Sequence, residues 1–205
     1  MKRIRILVAD DHALLRRGLV NLLKYQKDFA VVGEACNGKE AIEKAHELEP
    51  DVVIMDLSMP VMDGVEASRL IHKSVPGSKV LILTTFGTSA DVARAVMAGA
   101  SGALVKDSDD DTLLAAIRTV AGGGQVFSPE IAAIIKEPLP PDLTERQQEI
   151  LEAIVHGETS DIIAAKLGIS TDAVNQHVNA VRVKLGASNR REAVAIALRK
   201  HLLKI

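Results

Sequence analysis

Tryptophan is absent from this chain, and its aromatic residues are three phenylalanines and one tyrosine among 205 residues. Proteins that hold single-stranded nucleic acid stack successive bases on aromatic rings. So thin a supply excludes such a platform and leaves duplex as the form of any nucleic acid bound. There is one cysteine, Cys36. It can neither close an internal disulfide nor build a thiolate metal cluster, which fits a reducing compartment, and its plain role is that of a small buried filler. No apolar run nears the roughly 18 residues of a membrane-spanning helix. The opening MKRIRILVADD lacks the small-residue cleavage site of a secretion signal. A cytoplasmic protein with no membrane partner is therefore expected. Surplus charge is missing too, with 25 Lys+Arg against 27 Asp+Glu. Residues 142–205 carry 9 basic and 8 acidic side chains, and residues 1–141 carry 16 and 19. That contrast is too mild to establish nucleic-acid binding on its own.

What is present is apolar content, 47% of the residues, enough for a core in one large domain or two small ones. Through the first 120 or so residues, short β-rich runs alternate with helical-period segments. The runs are Ile4 to Ala9, Ala30 to Ala35, Val52 to Met55, Val80 to Leu83 and Ala103 to Val105. Five βα units with such short connections predict a five-stranded, parallel, doubly wound sheet with helices on both faces. Alternation stops at Gly122-Gly123-Gly124, and a short helical stretch then leads to Pro138, Pro140 and Pro141. This punctuation predicts a first domain over 1–124, a linker over 125–141 and a second domain over 142–205. Everything in that second domain reads as helix: Thr144 to Val155, Ser160 to Leu167, Thr171 to Leu185, and Arg190 to about Leu202.

Polar residues end the strands. The first runs into Asp10 and Asp11, the third into Asp56, the fourth into Thr84 and the fifth into Lys106. Strand ends on one side of a doubly wound sheet form its ligand crevice, so all five converge. Three carboxylates packed together repel unless protons, a metal or a cation offset them. Lys106 supplies one positive charge, and a divalent ion would supply two. Oxygen ligands favour a hard cation, and Mg²⁺ suits a site with one or two carboxylates plus phosphate. An aspartate in such surroundings can attack a phosphoryl group. Asp56 is the candidate nucleophile, with Thr84 and Lys106 placed to bind phosphoryl oxygens. His12, His46 and His72 have no ligand-like partners at useful spacing and are given no role.

In the second domain, Thr144 with Gln147 fits a capping box, Ser160 is a candidate cap for the next helix, and Gly168 supplies a turn before Ser170. Two short helices joined by a Gly-containing turn make a helix-turn-helix, whose second helix enters the DNA major groove. Val174, Val178, Val181 and Leu185 form its buried stripe. Asn175, Gln176, Asn179 and Arg182 stand opposite, with Thr171 at the start and Lys184 near the end. Asn and Gln can bind adenine bidentately, whereas Arg182 and Lys184 suit phosphate or guanine. The same face also fits a solvated surface on a protein-binding helical domain.

The motifs VADDH, MDLSMPVMDG, LILTT and LVKD resemble the receiver domains of two-component response regulators, over Met1 to about Gly124. The resemblance implies a flavodoxin-like fold and phosphotransfer from a sensor histidine kinase to Asp56. It also implies Mg²⁺ held by Asp11, Asp56 and the Ser58 carbonyl, with Asp10 acting through water. Ala103 stands where relatives usually carry an aromatic, so the aromatic swing that accompanies switching is not available there. The segments LTERQQEIL, IIAAKLGIS and DAVNQHVNAVRVKLGASNRREAV resemble the LuxR/NarL-type output domain, over Leu143 to about Leu198. That resemblance implies an all-α four-helix DNA-binding domain that controls transcription, a last helix used in dimerisation, and a homodimer favoured by phosphorylation. Asn175 and Asn179 replace family lysines, Asp161 stands where a base is common, and Ile162 replaces a usual glutamate. Weaker electrostatic contact with DNA is the consequence. An enzyme of the aspartate-nucleophile phosphatase class uses similar residues, but its nucleophile ends the first strand in a DxD pattern, the reverse of the order here. An interaction protein whose helical domain never meets DNA is the other alternative.

Overall fold

A computed structural model of the chain describes residues 3–85, 89–136, 143–199 and 202–203. The chain divides into two compact units, Met1–Pro138 and Leu139–Ile205.

The first unit is built on strands β1 (Ile4–Ala9), β2 (Phe29–Ala35), β3 (Val52–Met55), β4 (Lys79–Thr84), β5 (Gly102–Val105) and β6 (Val126–Phe127). They form one sheet in the order β2-β1-β3-β4-β5-β6, with every pairing parallel. Between them lie helices α1 (Ala13–Lys24), α2 (Gly38–Leu48), α3 (Gly64–Ser74), α4 (Ser89–Met97) and α5 (Asp110–Ala121), followed by α6 (Pro129–Lys136). The period-2 alternation of strand side chains sends Leu7, Val53, Met55, Ile82 and Ala103 to one core, shared with Ala41, Ala45, Ala67, Ile71, Val92 and Ile131 of α2, α3, α4 and α6. The opposite set, Ile6, Val8, Ile54, Leu81 and Leu104, packs with Leu19, Leu23, Leu113 and Ile117 of α1 and α5. Burial on both faces explains why the strands read as unbroken apolar runs. Asn37, Asp63 and Asp109 cap α2, α3 and α5, each accepting a backbone N–H three residues on.

The sheet has six strands where the sequence predicts five. Val126–Phe127 pairs with β5, and α6 packs against α4, β5 and β6, so much of the expected 125–141 linker belongs to the first unit. The proline-rich remainder, 137–142, lies outside the described residues. Cys36 is exposed, not a buried filler.

The second unit holds α7 (Glu145–Val155), α8 (Ser160–Leu167), α9 (Thr171–Leu185) and α10 (Arg190–Arg199). Ile150, Ala153, Ile163, Ala164, Val174 and Val178 form one core cluster, and Leu151, Val181, Ala193 and Ala197 are buried as well. Thr144 and Gln147 form the expected capping box. The cap of α8 is Thr159, one residue before the expected Ser160, and the Ser160 hydroxyl instead meets Arg190 and Asn175. Gly168 ends α8 in the left-handed conformation at φ 66°, which lets the chain turn into α9, capped by Ser170. The expected end of the last helix, near Leu202, meets residues 200 and 201, which are outside the described set. No described helix is long and apolar enough to cross a membrane.

Candidate functional site

Strand order reverses between β1 and β3, since β1 has β2 on one side and β3 on the other. Such a point opens a crevice at the carboxyl ends of the strands. Backbone bonds carry the strand ends into it: the Asp56 amide donates to the Ala9 carbonyl at 2.9 Å, and the Lys106 amide to the Thr84 carbonyl at 2.7 Å. Gly64, at the start of α3, lies against the same strand end. A Cβ there would stand 2.0 Å from the Asp56 carbonyl oxygen, so only glycine allows this approach.

Asp10 and Asp56 are buried, at 2% and 3% exposure. The Lys106 ammonium bridges them, 2.8 Å from Asp10 Oδ2 and 2.9 Å from Asp56 Oδ2. Asp56 Oδ1 accepts the Leu57 N–H at 2.8 Å. Burial pushes the Asp56 carboxyl above the usual carboxylate range, with the Asp10 charge adding to the shift and Lys106 opposing it. Burial would lower the Lys106 pKa, but its bonds to Asp10 and Asp56 outweigh that and leave it raised. The ammonium is therefore held charged. Thr84 is buried, and its hydroxyl donates to the Thr85 carbonyl at 2.8 Å. Ala103, beneath this end of the sheet, is fully buried in the core that also takes Ile131.

Asp10, Asp11, His12 and Asp56 each bring a ligand-type atom within 4.8 Å of the others. Asp11 Oδ1 is buried, with the His12 Nδ1 2.8 Å away. Three carboxylates face one lysine, and oxygen donors with an excess of negative charge fit a hard divalent cation. The residues thus suit Mg²⁺. The sequence reading missed His12, whose backbone N–H also donates to Asp10 Oδ1 at 2.8 Å; its place directly after the acid pair was the available signal. Ser58 is exposed beside Asp56 and lines the same cleft with His12, Thr85 and Lys106.

In the second unit Val174, Val178 and Val181 are buried, and Asn175, Gln176 and Asn179 are exposed on the other side of α9. The six expected contact residues have different surroundings. The Gln176 side chain is exposed. Thr171 donates its hydroxyl to Asp161 at 2.9 Å, and Asn175 Oδ1 accepts from Ser160 at 3.1 Å. Arg182 donates to Asn179 Oδ1 at 3.1 Å and to the Ser188 carbonyl at 2.6 Å, so its head is folded onto the α9–α10 turn. Lys184 reaches back to Gln147 Oε1 at 2.9 Å.

A strand-end cluster of acids bridged by a lysine, joined in one chain to a helix-turn-helix unit, defines a signal-receiving regulator of transcription. The family models agree: a response regulator receiver domain matches residues 6–118, and the luxR family of bacterial regulatory proteins matches residues 141–197. The transcriptional regulatory protein LnrK of Bacillus subtilis (strain 168) is 42% identical over 213 residues, spanning 96% of this chain and 97% of the relative. The response regulator protein VraR of Staphylococcus aureus (strain Mu3 / ATCC 700698) is 39% identical over 206 residues, spanning 98% and 99%. The crystal structure of ChrA, a response regulator of a heme-sensing two-component system, is 35% identical with a TM-score of 0.60, covering 98% and 100%. This chain belongs to the response regulators with a receiver domain and a LuxR-type DNA-binding domain.

Proposed function

We propose that Asp56 is the phosphoacceptor of this regulator, that a sensor histidine kinase is the donor, and that phosphorylation favours a homodimer with higher affinity for specific duplex DNA. In the transfer the kinase's P–N bond breaks and a P–O bond forms on the Asp56 carboxylate. The electron pair returns to the imidazole nitrogen, which takes up a proton. Asp11, Asp56 and the Ser58 carbonyl would hold Mg²⁺, with Asp10 acting through water. The ion supplies Lewis-acid stabilisation of charge on the transferring oxygens. Lys106 stays charged and moves from bridging two carboxylates to pairing with a phosphoryl oxygen. Thr84 exchanges its bond to the Thr85 carbonyl for one to another phosphoryl oxygen, and that exchange moves the β4 end. With Ala103 on β5, the movement has no aromatic partner there and relies on Thr84 and the backbone.

The observation that carries the proposal is the Lys106 ammonium within 2.9 Å of both Asp10 and Asp56, with Asp11 in the same cluster of acids. On the DNA side, Gln176, Asn175 and Asn179 on the outer face of α9 are proposed to meet base edges, with Thr171 at its start, while Arg182 and Lys184 first secure the helix. The protein is expected to act in the cytoplasm, where DNA and kinase are both accessible. Acetyl phosphate with Mg²⁺ tests the receiver half. One phosphoryl group should appear on the parent and none on Asp56→Asn; undiminished labelling of the variant would overturn the assignment.

A further inference from the structure

Helix α1 starts against the ordinary rules. Its cap position, His12, makes no side-chain cap bond and its first turn carries no acid, whereas α2, α3 and α5 have both. A cation, Arg16, stands near that end instead, where the helix dipole disfavours positive charge. Departures of this kind gather at functional sites. Helical side chains lean toward the N-terminus, and Arg16 reaches back past the helix start. Its Nη1 donates to the Asp10 carbonyl at 2.6 Å and its Nε to Glu34 Oε2 at 3.2 Å. The Glu34 side chain is 45% exposed, so that contact alone contributes little. The bond to Asp10 does more. The Asp10 amide still donates to the Ala35 carbonyl of β2 at 3.1 Å, but β1 ends at Ala9, and the Asp10 carbonyl finds its partner in Arg16 rather than in a strand. That carbonyl belongs to the planar unit joining Asp10 to Asp11. Holding its oxygen sets the direction in which Asp11 leaves the strand.

We infer that Arg16 is a positioning residue for the acid cluster: its bond to the Asp10 carbonyl holds the Asp10–Asp11 turn in the conformation that binds a divalent cation together with Asp56. The inference rests on the Mg²⁺ reading of that cluster. The Asp10 side chain is held on both oxygens, Oδ1 accepting the His12 N–H at 2.8 Å and Oδ2 the Lys106 ammonium at 2.8 Å. Arg16 completes this framework from the main-chain side. Groups that orient metal-binding side chains typically change metal affinity by about 10- to 100-fold when removed. Charge alone predicts the opposite sign, because deleting a cation beside three carboxylates favours a divalent ion. The direction of the change therefore separates positioning from simple electrostatics.

The test is an amide NMR titration of the full chain with MgCl₂, following the Asp11, His12 and Asp56 resonances. Arg16→Met should bind Mg²⁺ about tenfold more weakly than the parent. Arg16→Gln ends at the position of Nε, so it keeps a donor for Glu34 but falls short of the Asp10 carbonyl, and it should lose as much. Glu34→Gln leaves the bond to Asp10 in place and should stay within about twofold of the parent. Resonances away from β1, β2 and α1 should keep the parent's positions in each variant, which shows that the fold is intact. Affinity equal to or above the parent's in Arg16→Met or Arg16→Gln, or a loss in Glu34→Gln as large as theirs, would overturn the inference. A parent whose resonances do not respond to Mg²⁺ would instead remove the metal reading on which it rests.

Discussion

Lys106→Met removes the ammonium that lies between two buried carboxylates while keeping much of the side-chain volume. Asp10 and Asp56 are each at most 3% exposed, so water cannot replace the lost partner. Breaking a buried pair by deleting one side costs about 3–5 kcal/mol. Part of that is relieved because the Asp56 carboxyl, already raised by burial, takes up a proton more readily once the lysine is gone. About 3 kcal/mol should remain at pH 8. The pH dependence has a definite sign: a carboxyl with a folded pKa above its unfolded value is penalised when ionised, so the loss is complete above the folded pKa and fades as pH falls. Urea denaturation of the full chain in chelator, at pH 5 and pH 8, reads this directly. With a slope of about 2 kcal/mol per molar urea, the midpoint at pH 8 should fall by about 1.5 M, and by clearly less at pH 5. Added Mg²⁺ should stabilise the variant more than the parent, since the ion replaces the missing charge. Equal midpoints for variant and parent at pH 8, or the same loss at both pH values, would refute the reasoning.

Gly64→Ala should lower stability by about 3 kcal/mol and impair labelling of Asp56, because a Cβ would sit 2.0 Å from the Asp56 carbonyl oxygen; an unchanged denaturation midpoint would count against that packing. Gln176→Ala should cost about 1–3 kcal/mol on the best operator and leave the log-log salt slope unchanged, as expected for base reading; anisotropy titrations that weaken specific and scrambled duplexes alike would contradict it. Arg182→Ala should act mainly on folding, by about 2 kcal/mol, since its guanidinium holds Asn179 and the Ser188 carbonyl. A drop of a full unit in salt slope with no loss of stability would show that it binds phosphate instead.

Much of the receiver was legible because its strands are buried on both faces. Runs such as Ile4–Ala9 and Val52–Met55 are continuous in apolar character, and each is followed by the polar residues that ended up in the crevice. The sixth strand was not legible: Val126–Phe127 is two residues long, too short to display a period, and it forms by pairing with β5. Helix starts were readable from Thr144 and Ser170, but at α8 two hydroxyl residues stand side by side and the choice between Thr159 and Ser160 depends on tertiary partners. Arg190 takes Ser160, which leaves Thr159 as the cap. The same limit applies to long side chains on α9. Spacing placed Arg182 and Lys184 near the polar face, but it carries no information on whether their heads reach out or fold back. Their partners, the Ser188 carbonyl and Gln147, come from other elements.

Asp56 chemistry is proposed to control the second unit, and one titration addresses both halves at once. Operator duplex would be titrated with the full chain at a single salt concentration, before and after acetyl phosphate treatment with Mg²⁺, for the parent and for Asp56→Asn. Phosphorylation should tighten binding by about 5- to 150-fold in the parent, the range of a 1–3 kcal/mol coupling, and the Asn variant should show no response. Equal affinity of the parent with and without its phosphoryl group, or an equal response in Asp56→Asn, would contradict the account.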